Sequence, residues 1–165
     1  VSRPIVWALG ILATAALSAG GATERLAGLF RPPAPAPAEA GTSLTVSLHQ
    51  DLRGHYTVHP LVEGRTVRMM VDTGATLCAF TQEDAERAGI RVSGRDFARP
   101  VGTANGVVLA APVRIGEMQV EGISVRGVDA VVLPRGQLGT SLLGMSFLRR
   151  LRGFEVAGGR LTLRG

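Results

Sequence analysis

From Leu44 onward the chain consists of short apolar runs broken by glycine. This pattern constrains the fold more than any other feature, because frequent glycines favour tight turns and hence short strands over long helices. SLTVSLHQ alternates with a period of two, as a half-buried strand does. HYTVHPLVEGRTVRMMVDTG reads as two strands joined at Glu63-Gly64, and FEVAGGRLTLRG as a hairpin turning at Gly158-Gly159. GVVLAAPVRIG, MQVEGISVRGV and DAVVLP continue the β pattern between them. Two segments break it. TQEDAERAGI has Thr81 as a candidate N-cap, acids in its first turn and Gly89 as a stop, so it predicts a short helix. LLGMSFLRRLRG spaces Leu143, Phe147, Leu148 and Leu151 as a helix would, and predicts a second one stopping at Gly153. The expectation for residues 44–165 is a small all-β, barrel-like domain with two short helices.

The 165 residues, 45% of them hydrophobic, suffice for one domain with a real core. Aromatics make up only 4%, so Leu, Val, Ile and Met must fill it. Residues 4–23 carry no charge, and about 20 such residues can span a bilayer as a helix. Arg3 ahead of them favours an inside N-terminus by the positive-inside rule. Residues 1–23 are therefore expected to be a transmembrane anchor, with a cleaved signal peptide as the alternative. Residues 24–43 include RPPAPAPAEAGTS, whose Pro-Ala alternation favours an extended, semi-rigid linker. In that arrangement the remainder of the chain is translocated across the membrane.

The net charge of +5 comes entirely with Arg, for there is no Lys. The Arg residues are scattered from Arg3 to Arg164, and few aromatics are present to stack on bases, which argues against nucleic-acid binding. Cys78 is the only cysteine, so neither an intrachain disulfide nor a thiolate metal site can form. Its apolar neighbours make it a small core residue. His55 and His59 lie in strand-like sequence with no acidic or Cys partner nearby, so no metal site is expected. Ser141 lacks the G-x-S-x-G context of a nucleophile elbow.

One carboxylate stands out. Asp72 closes the apolar run MMV and opens DTGAT. Alone, an aspartate there can simply accept hydrogen bonds from the turn that follows it. The longer stretch VDTGAT, after a hydrophobic strand and before a short helix, resembles the retropepsin-like aspartic proteases, in particular their single-domain, membrane-anchored bacterial members. The resemblance extends over the β-rich domain. TANG, residues 103–106, falls where that family places its flap hairpin; VDAVVLP, residues 128–134, resembles the strand leading into the second half of the fold; SLLGMSFLRRL, residues 141–151, resembles the family's apolar-apolar-Gly turn and helix.

The resemblance implies a closed retropepsin-like barrel and an aspartic endopeptidase without cofactor or metal. Such chemistry needs two carboxylates about 3 Å apart sharing one proton, and two charges that close titrate as a coupled unit. The chain has one Asp-Thr-Gly. Of the other aspartates, Asp84 reads as a solvated or capping residue of a polar helix, Asp51 and Asp96 lie in loop-like sequence, and Asp129 lacks a glycine turn to present it. The expectation is a homodimer that supplies Asp72 twice across a twofold axis. By the same resemblance, the Thr73 hydroxyl locks the two turns together, Gly74 permits their close approach, and Ala75 completes the active-site support. Thr103, Ala104, Asn105 and Gly106 form the tip of a flap over an extended peptide substrate; the plainer alternative is a surface hairpin with a common Asn-Gly turn. A membrane-tethered peptide-binding or dimerisation module with the same fold and little catalysis is the functional alternative.

Overall fold

The computed structural model describes residues 44–103 and 106–165. The anchor and linker expected over residues 1–43 lie outside the described residues, as do Ala104 and Asn105. Among the described residues no helix is long and apolar enough to cross a membrane.

The domain is all-β with few, short helices. Strand β1 (Thr45–His49) pairs antiparallel with β12 (Arg160–Arg164), which also pairs with β11 (Gly153–Ala157), giving a three-stranded sheet. The hairpin between β11 and β12 turns at Gly158 and Gly159, both with positive φ (55° and 72°), where a side chain would be strained.

The other sheet has nine strands. Where the sequence suggests two strands around Glu63-Gly64, there are four short ones: β2 (Thr57–Val58), β3 (Leu61–Val62), β4 (Arg65–Thr66) and β5 (Met69–Val71). The turn itself falls where expected, joining β3 to β4. After β6 (Cys78–Thr81) and helix α1 (Gln82–Arg87) come β7 (Arg99–Thr103), the 15-residue β8 (Gly106–Val120) and the 11-residue β9 (Ile123–Leu133). Then follow β10 (Ser141–Leu143) and helix α2 (Met145–Leu148). The strand order is β2-β5-β10-β6-β9-β8-β3-β4, with β7 paired to β8.

This path is open, so the expected closed barrel is corrected to a half-barrel. β2 and β3 stand near opposite ends of the path yet are joined by His59 and Pro60 alone, so the sheet must curl until those ends adjoin. Pro60 sits in the seam. It has no N–H to extend a ladder, and its carbonyl accepts the Val67 N–H at 3.0 Å instead.

The main core gathers inside the curl, around Phe80, Met69, Ile115, Met118 and Phe147, all at most 1% exposed. Full burial of each contributes about 1.5–3 kcal/mol. β9 shows how the sheet changes character along its length. Its first half alternates buried and exposed residues, while Ala130, Val131, Val132 and Leu133 are all buried. The strand is thus covered on both faces at its end. Ala79, Ala110, Val131 and Leu133 form a second apolar cluster there, apart from the main core.

Thr81 caps α1 as expected, its hydroxyl accepting the Asp84 N–H at 3.1 Å, and Gly89 follows in the left-handed conformation (φ 81°). Two readings are corrected. α2 has only four residues, and Leu143 belongs to β10 instead, because Gly144 separates strand from helix. Asp84 is 7% exposed rather than solvated.

Candidate active site

β10 lies between β5 and β6, pairing in parallel with the first (Leu143↔Val71) and antiparallel with the second (Leu142↔Ala79). The loop of residues 72–77 that joins β5 to β6 must therefore cross over the end of β10. Its first residue is Asp72. The Asp72 N–H donates to the Leu143 carbonyl at 3.1 Å, and the Met145 N–H donates to the Ala75 carbonyl at 2.8 Å. The loop is thus tied at both edges to the segment beneath it. Gly144 fills the space between: a Cβ there would press against the Leu77 carbonyl and stand 2.8 Å from Ala75 O. Ser146 Oγ accepts the Cys78 N–H at 2.8 Å where the loop re-enters the sheet.

Within the loop, Asp72 Oδ1 accepts the Gly74 N–H at 2.8 Å, which fixes the plane of the carboxylate. A side chain at Gly74 would lie 3.1 Å from that same oxygen. Asp72 is half-buried, whereas Thr73 and Gly74 face outward. Cys78 is fully buried in the main core, as expected, and burial pushes its thiol pKa up.

A cleft of about 760 Å³ opens over the loop. Asp72, Gly74 and Ala75 of the loop line it, as do Thr103 and the rest of β7. β8 explains the hairpin's position. Its residues 111–120 pair with β9 and residues 106–110 with β7, so it changes partner between Ala110 and Ala111. Both alanines are 0% exposed. Beyond them β8 pairs with β7 alone, and every residue of β7 lines the cleft. Thr103 and Gly106 are paired at the end of the β7–β8 hairpin, the Thr103 hydroxyl donating to the Gly106 carbonyl at 2.8 Å.

Apolar side chains share the walls with Thr76, Arg99, Thr103 and Gln137. Leu77, Val101, Leu133, Leu138 and Leu142 line the cleft and were not singled out in the sequence; only the fold collects them. Among the described lining residues Arg99 is the one base and Asp72 the one acid. The other aspartates are engaged elsewhere. Asp51 accepts the Arg53 and His55 N–H groups, and the His55 bond leads in holding its carboxyl below the usual range. Asp96 is held low by the Ser93 N–H at 2.6 Å. Asp129 pairs with Arg114 at 2.9 Å, and Asp84 with Arg87 and Ser141. Among the described residues of one copy, Asp72 is the single carboxylate that lines the cleft.

Residues 58–150 match the family described as "gag-polyprotein putative aspartyl protease". The chain belongs to the retropepsin-like aspartic proteases. It is similar to a solved retropepsin-like aspartic protease from Rickettsia conorii, with 31% identity and a TM-score of 0.67 over 74% of this chain and 91% of that one. EIAV protease in complex with the inhibitor HBY-793 shares the fold: 19% identity and a TM-score of 0.51 over 65% of this chain and 97% of that one. An uncharacterised protein of Sinorhizobium sp., encoded in a cobV 5′ region, is 41% identical over 72% of this chain and 51% of its own length. An uncharacterised protein of Rickettsia prowazekii is 36% identical over 62% of this chain and 44% of its own. This retropepsin-like chain thus spans about half the length of the curated relatives it matches.

Proposed function

We propose that the chain is an aspartic endopeptidase that hydrolyses peptide bonds as a homodimer, with a water held between two Asp72 carboxylates, one from each copy. The observation that carries this reading is that Asp72 is the one acid among the described residues lining the cleft, on a loop tied to β10, with β7 lining the same cleft. One carboxylate cannot both accept and donate a proton in the same step. A second copy related by a twofold axis supplies its like.

The pair shares one proton. The ionised Asp72 takes a proton from water as its oxygen attacks the scissile carbonyl carbon, and the protonated Asp72 donates to the carbonyl oxygen. Collapse of the tetrahedral intermediate sends a proton to the leaving nitrogen. No covalent enzyme intermediate forms. Thr73, Gly74 and Ala75 support the carboxylate, with the outward-facing Thr73 and Gly74 meeting their twofold mates. The β7–β8 hairpin, residues 103–106 at its tip, closes over the substrate as a flap. An extended peptide fits between hairpin and loop by strand-like hydrogen bonds, with apolar side chains against Leu133 and Leu142. The uncharged segment of residues 4–23 tethers the enzyme to the inner membrane with this domain in the periplasm.

Asp72→Asn tests the chemistry. Cleavage of a peptide library should fall by about 10³-fold or more, while the variant stays folded and dimeric. A tethered peptide-binding module would behave differently: the wild type would bind peptides and release no product.

A further inference from the structure

We propose that Asp84 and Ser141 form a buried clamp that sets the position of β10 and, through it, of Asp72. Asp84 is thereby a positioning residue of the proposed protease, and this inference rests on that reading for its effect on catalysis.

The two residues are 57 apart in sequence and both lie inside the protein, Asp84 at 7% and Ser141 at 0% exposure. Ser141 Oγ donates to Asp84 Oδ2 at 2.5 Å and accepts the Thr81 N–H at 3.1 Å. Asp84 is anchored in turn: its own N–H donates to Thr81 Oγ1, and Arg87 pairs with its other oxygen. One hydroxyl therefore joins β10 to both the end of β6 and the first turn of α1.

Apart from this hydroxyl, β10 is held lengthwise by main-chain pairing, which a shifted register could remake: in parallel with β5 over Ser141↔Met69, Leu142↔Met70 and Leu143↔Val71. The strand is three residues long and pairs with β6 through a single residue pair. Ser141 is its first residue and Leu143, whose carbonyl holds the Asp72 N–H, its last. A one-residue slip of a strand turns every side chain to the opposite face. Here it would bring Thr140 or Leu142 to the carboxylate in place of Ser141. With Leu142 there, Asp84 would lose a buried donor; a buried carboxylate short of a partner is costly. The same slip would carry the Leu143 carbonyl and Gly144 away from the loop. The clamp makes that register the favoured one, so a group on α1 governs where the carboxylate of Asp72 stands. Misplacing a reacting group by about 1 Å can lower a rate about 10²-fold.

The test uses the full chain and the variants Ser141→Ala, Asp84→Ala, the double variant, and Asp84→Asn, whose carboxamide oxygen can still accept from Ser141. Two quantities are read: amide hydrogen exchange residue by residue, and kcat and KM for a cleaved peptide, per folded dimer. In the alanine variants, exchange at the Asp72 and Met145 amides should quicken at least about tenfold. Exchange at Val46 and Leu163, in the separate sheet, should not change. kcat should fall about 10²-fold with KM nearly constant, the double variant should be no worse than either single one, and Asp84→Asn should recover most of both effects. Uniform acceleration of all amides, or a kcat per folded dimer equal to wild type, would overturn the clamp and leave the pair a contributor to stability only. Should Asp84→Ala not fold, Ser141→Ala, which removes one oxygen, decides alone. The exchange measurement does not depend on proteolysis: a wild type that cleaves nothing sinks the protease reading, and the clamp is then judged on the Asp72 amide.

Discussion

Asp72 could be picked out of the sequence because its signal is local: the strand that delivers it and the turn that presents it are contiguous in VDTGAT. Asp84 was misread for the opposite reason. Glu83, Asp84 and Glu86 form an acidic stretch that reads as a solvated helix face, and only the approach of β10 buries the middle carboxylate while the other two pair with Arg135 at the surface. Gly144 lies between these cases. SLLGMSFL marks it as a turn, but its φ of −95° is one that any residue adopts, so its conformation makes no demand for glycine. The demand is steric, from carbonyls of a loop some 70 residues earlier in the chain. Gly144→Ala should therefore cost about 1–3 kcal/mol or more in urea unfolding, and should reduce cleavage further than the stability loss explains, since the Asp72 loop must lift to admit the methyl group. Gly94→Ala is the control, because a Cβ there meets nothing within 4 Å.

At the scale of elements, hairpins with glycine turns were legible and inserted strands were not. The turns at Glu63-Gly64 and Gly158-Gly159 close on neighbouring sequence, and both stand where the pattern placed them. β10 takes its partners from β5 and β6, more than 50 residues away, so its Leu142 and Leu143 read as part of the helix that follows. β6 has all four residues buried, which alternation cannot reveal. That burial has a measurable consequence at Cys78, the first residue of β6. The thiol has 0% exposure and a pKa raised mainly by desolvation. A thiolate is the reactive form, so Cys78 should resist alkylation at neutral pH in the native protein. Modification in urea should follow the unfolding curve measured by circular dichroism. Rapid labelling without unfolding would show that β6 opens locally beneath the Asp72 loop.

At the scale of the whole domain, the sequence points to a closed barrel and the described residues form a half-barrel, its strand path running open from β2 to β4. The missing second carboxylate also belongs to this scale. Among the described aspartates, Asp72 alone reaches the cleft, so completion of the proposed site is a question of assembly and not of a further residue in the chain. Two measurements follow. If only the assembled form carries a site, as proposed, specific activity should fall on dilution of the full chain below its dimer dissociation constant. Membrane confinement would oppose that loss by raising effective concentration. The sharper measurement mixes wild type with Asp72→Asn under conditions where subunits exchange. If each site needs one carboxylate from each copy, a mixed dimer is inactive. Random pairing of equal amounts then leaves about one quarter of the dimers active. Relative to the same total protein as wild type, activity should drop to about a quarter and follow the square of the wild-type fraction. A single chain acting alone would retain half, in direct proportion to that fraction. A linear dependence, with sedimentation showing that subunits have exchanged, would remove the shared site from the mechanism and require a second acid within one copy.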